Sequence, residues 1–157
     1  MSEMRMLLID DELGFREFVG KVAASAGYEV EVTSNAKDFM RIYESFDPTL
    51  IVMDMIMPEM DGFELMQWLI SQDCRSRVLV VTGYNPHYAE MAETIGTDSG
   101  KLDVQTLTKP IRSNRWIRGA FFRFGGGQAG GAQAARELRC LGLLHARELV
   151  SFAPWQG

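Results

Sequence analysis

The chain has 157 residues, of which 46% are hydrophobic and 24% charged, with a net charge of −5 at pH 7. This length and composition suit one domain with a real core plus an appendage, and they exclude disorder throughout. No apolar run is long enough to span a bilayer, the start holds too few apolar residues for a signal-peptide core, and Cys74 and Cys140 form no C-x-x-C pair. A reducing cytoplasm is the expected compartment, with no disulfide framework, zinc site or membrane insertion.

Charge is unevenly distributed. Residues 1–110 hold 9 basic and 19 acidic residues, whereas the remainder holds 7 and 2, its basic residues all Arg, together with 8 of the 15 glycines. The stretch GGGQAGG, starting at Gly125, reads as a linker. We therefore expect a domain over residues 4–124 and a short Gly/Arg-rich extension, flexible or partly helical, over 125–157.

In chain order, Met6 to Ile9 is a short apolar run closed by Asp10, Asp11 and Glu12, and reads as a first strand. Phe15, Phe18, Val19, Val22 and Ala26 recur at helical spacing, predicting a helix with a core-facing stripe that Gly27 ends. Tyr28 to Thr33 alternates apolar with acidic residues, as a sheet-edge strand does. Ser34 or Asn35 suits a helix cap, and the helix that follows turns Phe39, Ile42, Tyr43 and Phe46 inward until Asp47-Pro48 stops it.

Leu50 to Met53 is a continuous apolar run, the pattern of a parallel strand buried on both faces, and it delivers Asp54 at its end. Pro58, Asp61 and Gly62 are turn residues, after which Phe63, Leu65, Met66, Leu69 and Ile70 define a third helix. Arg77 to Thr82 is another buried strand. Pro86 opens a fourth helix through Tyr88, Met91, Ala92 and Ile95, ending at Gly96. Thr97 to Lys101 reads as a loop, Leu102 to Thr108 as a fifth strand, and Ile117 to Phe124 as a short fifth helix.

Strands alternating with helices define an α/β fold: a doubly wound five-stranded parallel sheet with helices on both faces. Ligands of such sheets sit beyond the carboxyl ends of the strands. Asp10, Asp11, Asp54, Thr82 and Lys109 all end predicted strands, so they should meet at one rim. Gathered carboxylates repel, which raises a pKa or recruits a cation, and oxygen ligands beside a phosphate site favour magnesium. An Asp can act as nucleophile on phosphorus, with a Lys ammonium and a Thr hydroxyl offsetting charge on the transferring group. His87 and His145 read as capping or solvent-facing residues, and the methionines as packing.

These residues resemble the response-regulator receiver domain of two-component signalling, with its CheY-like, flavodoxin-like fold. The resemblance rests on the acidic pair Asp10 and Asp11, the D-x-x-M-P-x-M-D-G run from Asp54 to Gly62, Thr82-Gly83 and Lys109-Pro110. It implies a phosphoprotein in which Asp54 accepts a phosphoryl group from a sensor histidine kinase or phosphotransfer protein. Asp11, Asp54 and the Ile56 backbone carbonyl would hold Mg2+, Asp10 would act through water, and Thr82 and Lys109 would bind phosphoryl oxygens. Lys109-Pro110 would be cis. Receivers place an aromatic three residues before the Lys, where this chain has Thr106. Ile56 and Tyr84 fall at the positions that flank the attacking water, and neither is a carboxylate or amide, so slow self-dephosphorylation is expected. The span from Thr82 to Lys109 is also longer than is common in the family.

The function expected is a switch and not a turnover enzyme, acting through a phosphorylation-dependent surface on a downstream protein. One alternative is a receiver-like interaction domain independent of phosphorylation. Another is an Asp-nucleophile phosphohydrolase, against which Ile56 stands because it cannot relay a proton. For the tail, packing on the receiver, homodimerisation and nucleic-acid contact stay open beside a weakly ordered extension, although Arg residues without a helix-turn-helix argue against nucleic acid.

Overall fold

The structure, a computed structural model, describes residues 4–83 and 85–109. The expected fifth helix, the boundary near Gly125, the tail, Tyr84 and Pro110 all lie outside the described residues.

Five strands, β1 (Arg5–Ile9), β2 (Glu29–Thr33), β3 (Leu50–Met53), β4 (Arg77–Thr82) and β5 (Asp103–Thr108), alternate with α1 (Leu13–Ser25), α2 (Ala36–Phe46), α3 (Gly62–Ser71) and α4 (Pro86–Ser99). All pairings are parallel, in the order β2-β1-β3-β4-β5. The strand order reverses between β1 and β3, so the crevice at their carboxyl ends is the natural ligand position.

The side-chain period of two divides the central strands between two cores. Leu7, Ile9, Ile51, Met53, Val78 and Val80 cluster with Phe39 of α2, Leu65, Met66 and Leu69 of α3, and Ala92 of α4. Met6, Leu8, Leu50 and Val52 are equally buried and alternate with these residues on the opposite face. There α1 buries Val19, Val22 and Ala23. Burial on both faces explains why β3 and β4 carry unbroken apolar runs. β2, as expected of an edge strand, leaves Glu29 and Glu31 exposed.

Capping follows local chemistry. Asn35 and Asp61 accept the backbone N–H of Asp38 and Glu64 at 2.9 Å each, opening α2 and α3. Asp47 closes α2 in the left-handed region at φ 48° and is held by Arg5, whose guanidinium lies 3.0 Å from its carboxylate. Trp68, outside the expected α3 stripe, packs edge-on to Tyr43 with ring centroids 5.3 Å apart.

Two expectations are corrected. Helix α4 does not end at Gly96 but continues to Ser99, and Gly100 closes it at φ 59°. Gly96 instead permits close packing, because a Cβ there would stand 2.6 Å from Val104 Cγ2 on β5. Phe15 is the second. It does not join the buried stripe of α1, being only partly covered at the rim of the functional site.

Candidate functional site

The sheet register brings the acids together. Beyond the last β1–β3 pair, Ile9 with Met53, the Asp54 N–H donates to the Ile9 carbonyl at 3.2 Å and the Asp10 N–H to the Thr33 carbonyl at 3.3 Å. Ladder bonding thus carries both acids one residue past their strands and sets them side by side. Asp10 is fully buried, Asp54 nearly so, and Asp11 exposed. Carboxylate oxygens of all three lie within 4.8 Å of one another.

Lys109 bridges two of them. Its ammonium donates to Asp10 Oδ2 at 2.7 Å and to Asp54 Oδ2 at 2.8 Å, while Glu12 stands 3.9 Å away. The other oxygens are also used: Asp10 Oδ1 accepts the Glu12 N–H at 2.9 Å and Asp54 Oδ1 accepts the Ile56 N–H at 3.1 Å. The second bond curls the loop after β3 against Asp54 and leaves the Ile56 side chain 55% exposed at its lip. The Lys109 N–H donates to the Thr82 carbonyl at 2.7 Å, which fixes the end of β5 against the end of β4. Thr82 is fully buried, and its Oγ1 has no hydrogen-bond partner.

Electrostatics follow from burial. Desolvation raises the Asp10 carboxyl above its ordinary range, the bond from Lys109 opposing it. For Lys109 desolvation acts downward, but the bonds to Asp10 and Asp54 outweigh it and leave the ammonium raised. Three carboxylates beside one ammonium leave a double negative charge, matched by a divalent cation. The donor set is oxygen only, which suits Mg2+. An unpartnered buried hydroxyl at Thr82 supplies a donor with nothing yet to bind, as a phosphoryl oxygen would require.

The structure therefore brings Asp10, Asp11, Asp54 and Lys109 into one cluster, with Thr82 bonded through its backbone to Lys109. Three further neighbours escaped the reading of the sequence. Arg16 donates to the Asp10 carbonyl at 2.7 Å, Glu12 faces Lys109, and the Phe15 ring centroid lies 4.3 Å from Lys109 Nζ. Arg16 sits one helical turn after the acidic run, the only local signal that could have revealed it.

Fold and site together define a doubly wound α/β protein with an acidic, cation-fitting centre at its topological switch point. The family model for the response regulator receiver domain matches residues 6–118, and the chain belongs to that family, the receivers of two-component systems. Among curated relatives, the response regulator receiver protein CpdR of Brucella abortus is 33% identical over 109 residues, covering 68% of this chain and 85% of its own. The regulatory protein AtoC of Escherichia coli is 30% identical over 80 residues, 51% of this chain and 17% of its own. The chain spans less than half the length of several relatives it matches, AtoC and the TrcR regulator of Mycobacterium tuberculosis (41%) among them. The crystal structure of the chemotaxis response regulator CheY4 of Vibrio cholerae shares the fold, with a TM-score of 0.66 at 23% identity over 78% of this chain and 99% of that one. Among the described residues, no helix is long and apolar enough to cross a membrane.

Proposed function

We propose that this chain is a phosphoacceptor receiver: Asp54 takes a phosphoryl group from a histidine kinase or phosphotransfer protein, and the product is read by a protein partner. The observation that carries this reading is Lys109 Nζ held between Asp10 and Asp54 at the ends of β1, β3 and β5. Such a site cannot be explained by stability alone, since Asp10 is penalised by burial.

In the transfer, a carboxylate oxygen of Asp54 attacks phosphorus, forming the acyl-phosphate P–O bond as the donor's P–N bond breaks and its imidazole keeps the electron pair and a proton. Lys109 moves one of its ammonium donors to a phosphoryl oxygen, and the unpartnered Thr82 hydroxyl donates to another. Asp10, Asp11, Asp54 and the Ile56 carbonyl are the groups that would hold Mg2+, which when bound offsets the charge gathered on the transferring group. The protein turns nothing over; it stores one phosphoryl group and alters a surface. A receiver-like domain indifferent to phosphate would have no use for a buried, unpartnered Thr82 hydroxyl beside these acids.

Incubation with acetyl phosphate and Mg2+, followed by intact mass measurement, tests the reading. One phosphoryl group is expected on the wild type and none on Asp54→Asn. A wild-type protein that gains no mass defeats the proposal.

A further inference from the structure

We propose that Phe15 is a positioning residue for Lys109, its ring face forming the third side of the ammonium's site; the inference rests on the phosphoacceptor reading. A lysine ammonium is a compact charge on a flexible four-carbon stem, with three donors free to rotate. Two of them are engaged, by Asp10 Oδ2 at 2.7 Å and Asp54 Oδ2 at 2.8 Å. On a further side Nζ lies 4.3 Å from the centroid of Phe15, within cation–π range of the negative ring face. Phe15 stands in the first turn of α1 and is only partly buried, so the core does not account for an aromatic there.

The ring supplies what the carboxylates cannot. Its attraction does not depend on which way the three N–H bonds point, so it holds Nζ while individual donors leave Asp54 for a phosphoryl oxygen. It also keeps water from that side of the charge, which strengthens the remaining electrostatic contacts. Glu12, at 3.9 Å on the open rim, is the competing anion towards which an unsupported ammonium would drift. Lys109 then stays over Asp54 by virtue of a residue on the opposite end of the domain's sequence.

The test compares wild type, Phe15→Leu and Phe15→Trp. Leu preserves apolar bulk without a π face, and Trp restores the face. With acetyl phosphate and Mg2+, the initial rate of mass gain should fall about 3- to 30-fold in Phe15→Leu and return to within about threefold of wild type in Phe15→Trp, as cation–π strengths dictate. Independently of phosphate, the Lys109 Hε protons should show an upfield ring-current shift in wild type and Phe15→Trp that disappears in Phe15→Leu. Equal rates in all three proteins, or an unchanged Lys109 shift in Phe15→Leu, would overturn the inference. A wild type that gains no mass defeats the phosphoacceptor reading instead, and the Lys109 shift still decides whether the ring holds the ammonium.

Discussion

The Thr106 hydroxyl donates to the Glu93 carboxylate at 2.5 Å, tying β5 to α4 at the position where the family carries an aromatic. It is a charge-assisted bond between a partly covered hydroxyl and an exposed carboxylate, and it lies next to the tight Gly96–Val104 contact that presses the same helix on the same strand. A polar tie of this kind breaks and forms without a ring having to swing through the core. Thr106→Val, which keeps the shape and removes the donor, should cost about 1 kcal/mol in urea unfolding. Amide exchange should speed up along α4 and leave β1 and β3 unchanged. Equal loss of protection in all elements would show that the bond does not act locally.

The strands were legible in the sequence because parallel strands buried on both faces leave unbroken apolar runs, as Leu50 to Met53 and Val78 to Val81 do. The site was legible for a topological reason: in a doubly wound sheet every carboxyl strand end faces one rim, so Asp10, Asp54 and Lys109 could be grouped before any distance was known. What remained hidden depends on single contacts. Gly96 read as a helix stop, yet the approach of Val104 requires glycine there, and only the φ of Gly100 ends the helix. Phe15 read as core because helical spacing reports a face, and the same face serves a buried stripe lower down and a cation at its upper end. Glu93 carried no signal at all, since its partner lies on another element.

Asp10 should be costly to the fold at neutral pH. Its folded pKa is raised above 3.8, so protonation favours the native state: the contribution is fully present below the unfolded pKa and lost as pH rises through the folded one. Asp10→Asn removes the buried charge while Lys109 keeps Asp54. Its melting temperature at pH 7 should exceed wild type by a few degrees, on the order of 1 kcal/mol. The advantage should shrink as pH falls towards 3.8. Added Mg2+ should stabilise wild type more than Asp10→Asn, since a ligand stabilises only as tightly as it binds. A lower melting temperature for the variant at pH 7 would show that the Lys109 bond outweighs desolvation.

Two glycines, one at the start of α3 and one just after β4, should respond unequally to alanine. At Gly62 a Cβ would stand 2.7 Å from Met55 Cα and 2.9 Å from the Asp54 carbonyl oxygen, both backbone atoms that cannot swing aside. Gly62→Ala should therefore cost about 1–3 kcal/mol and displace the start of α3 from the loop that holds Asp54. At Gly83 a Cβ would meet nothing within 4 Å. Gly83→Ala should stay within about 0.5 kcal/mol of wild type. Thermal unfolding of the pair checks both, and equal effects would mean that the α3 approach is looser than described.

Phosphorylated Asp54 should be long-lived because of Ile56. Its N–H is taken up by Asp54 Oδ1 and its side chain stands 55% exposed at the lip of the site, where an attacking water would have to be held. The sec-butyl side chain offers that water neither acceptor nor donor, so attack relies on random encounter. Ile56→Gln and Ile56→Glu place a polar group at the same lip without disturbing the backbone bond. Loss of phosphoryl mass after removal of the donor should accelerate in both, by up to about a hundredfold for the carboxylate, the lower range for a positioned base. Gln should fall between wild type and Glu, since an amide orients water without accepting its proton. Decay at the wild-type rate in both variants would show that water reaches phosphorus by a route that Ile56 does not control.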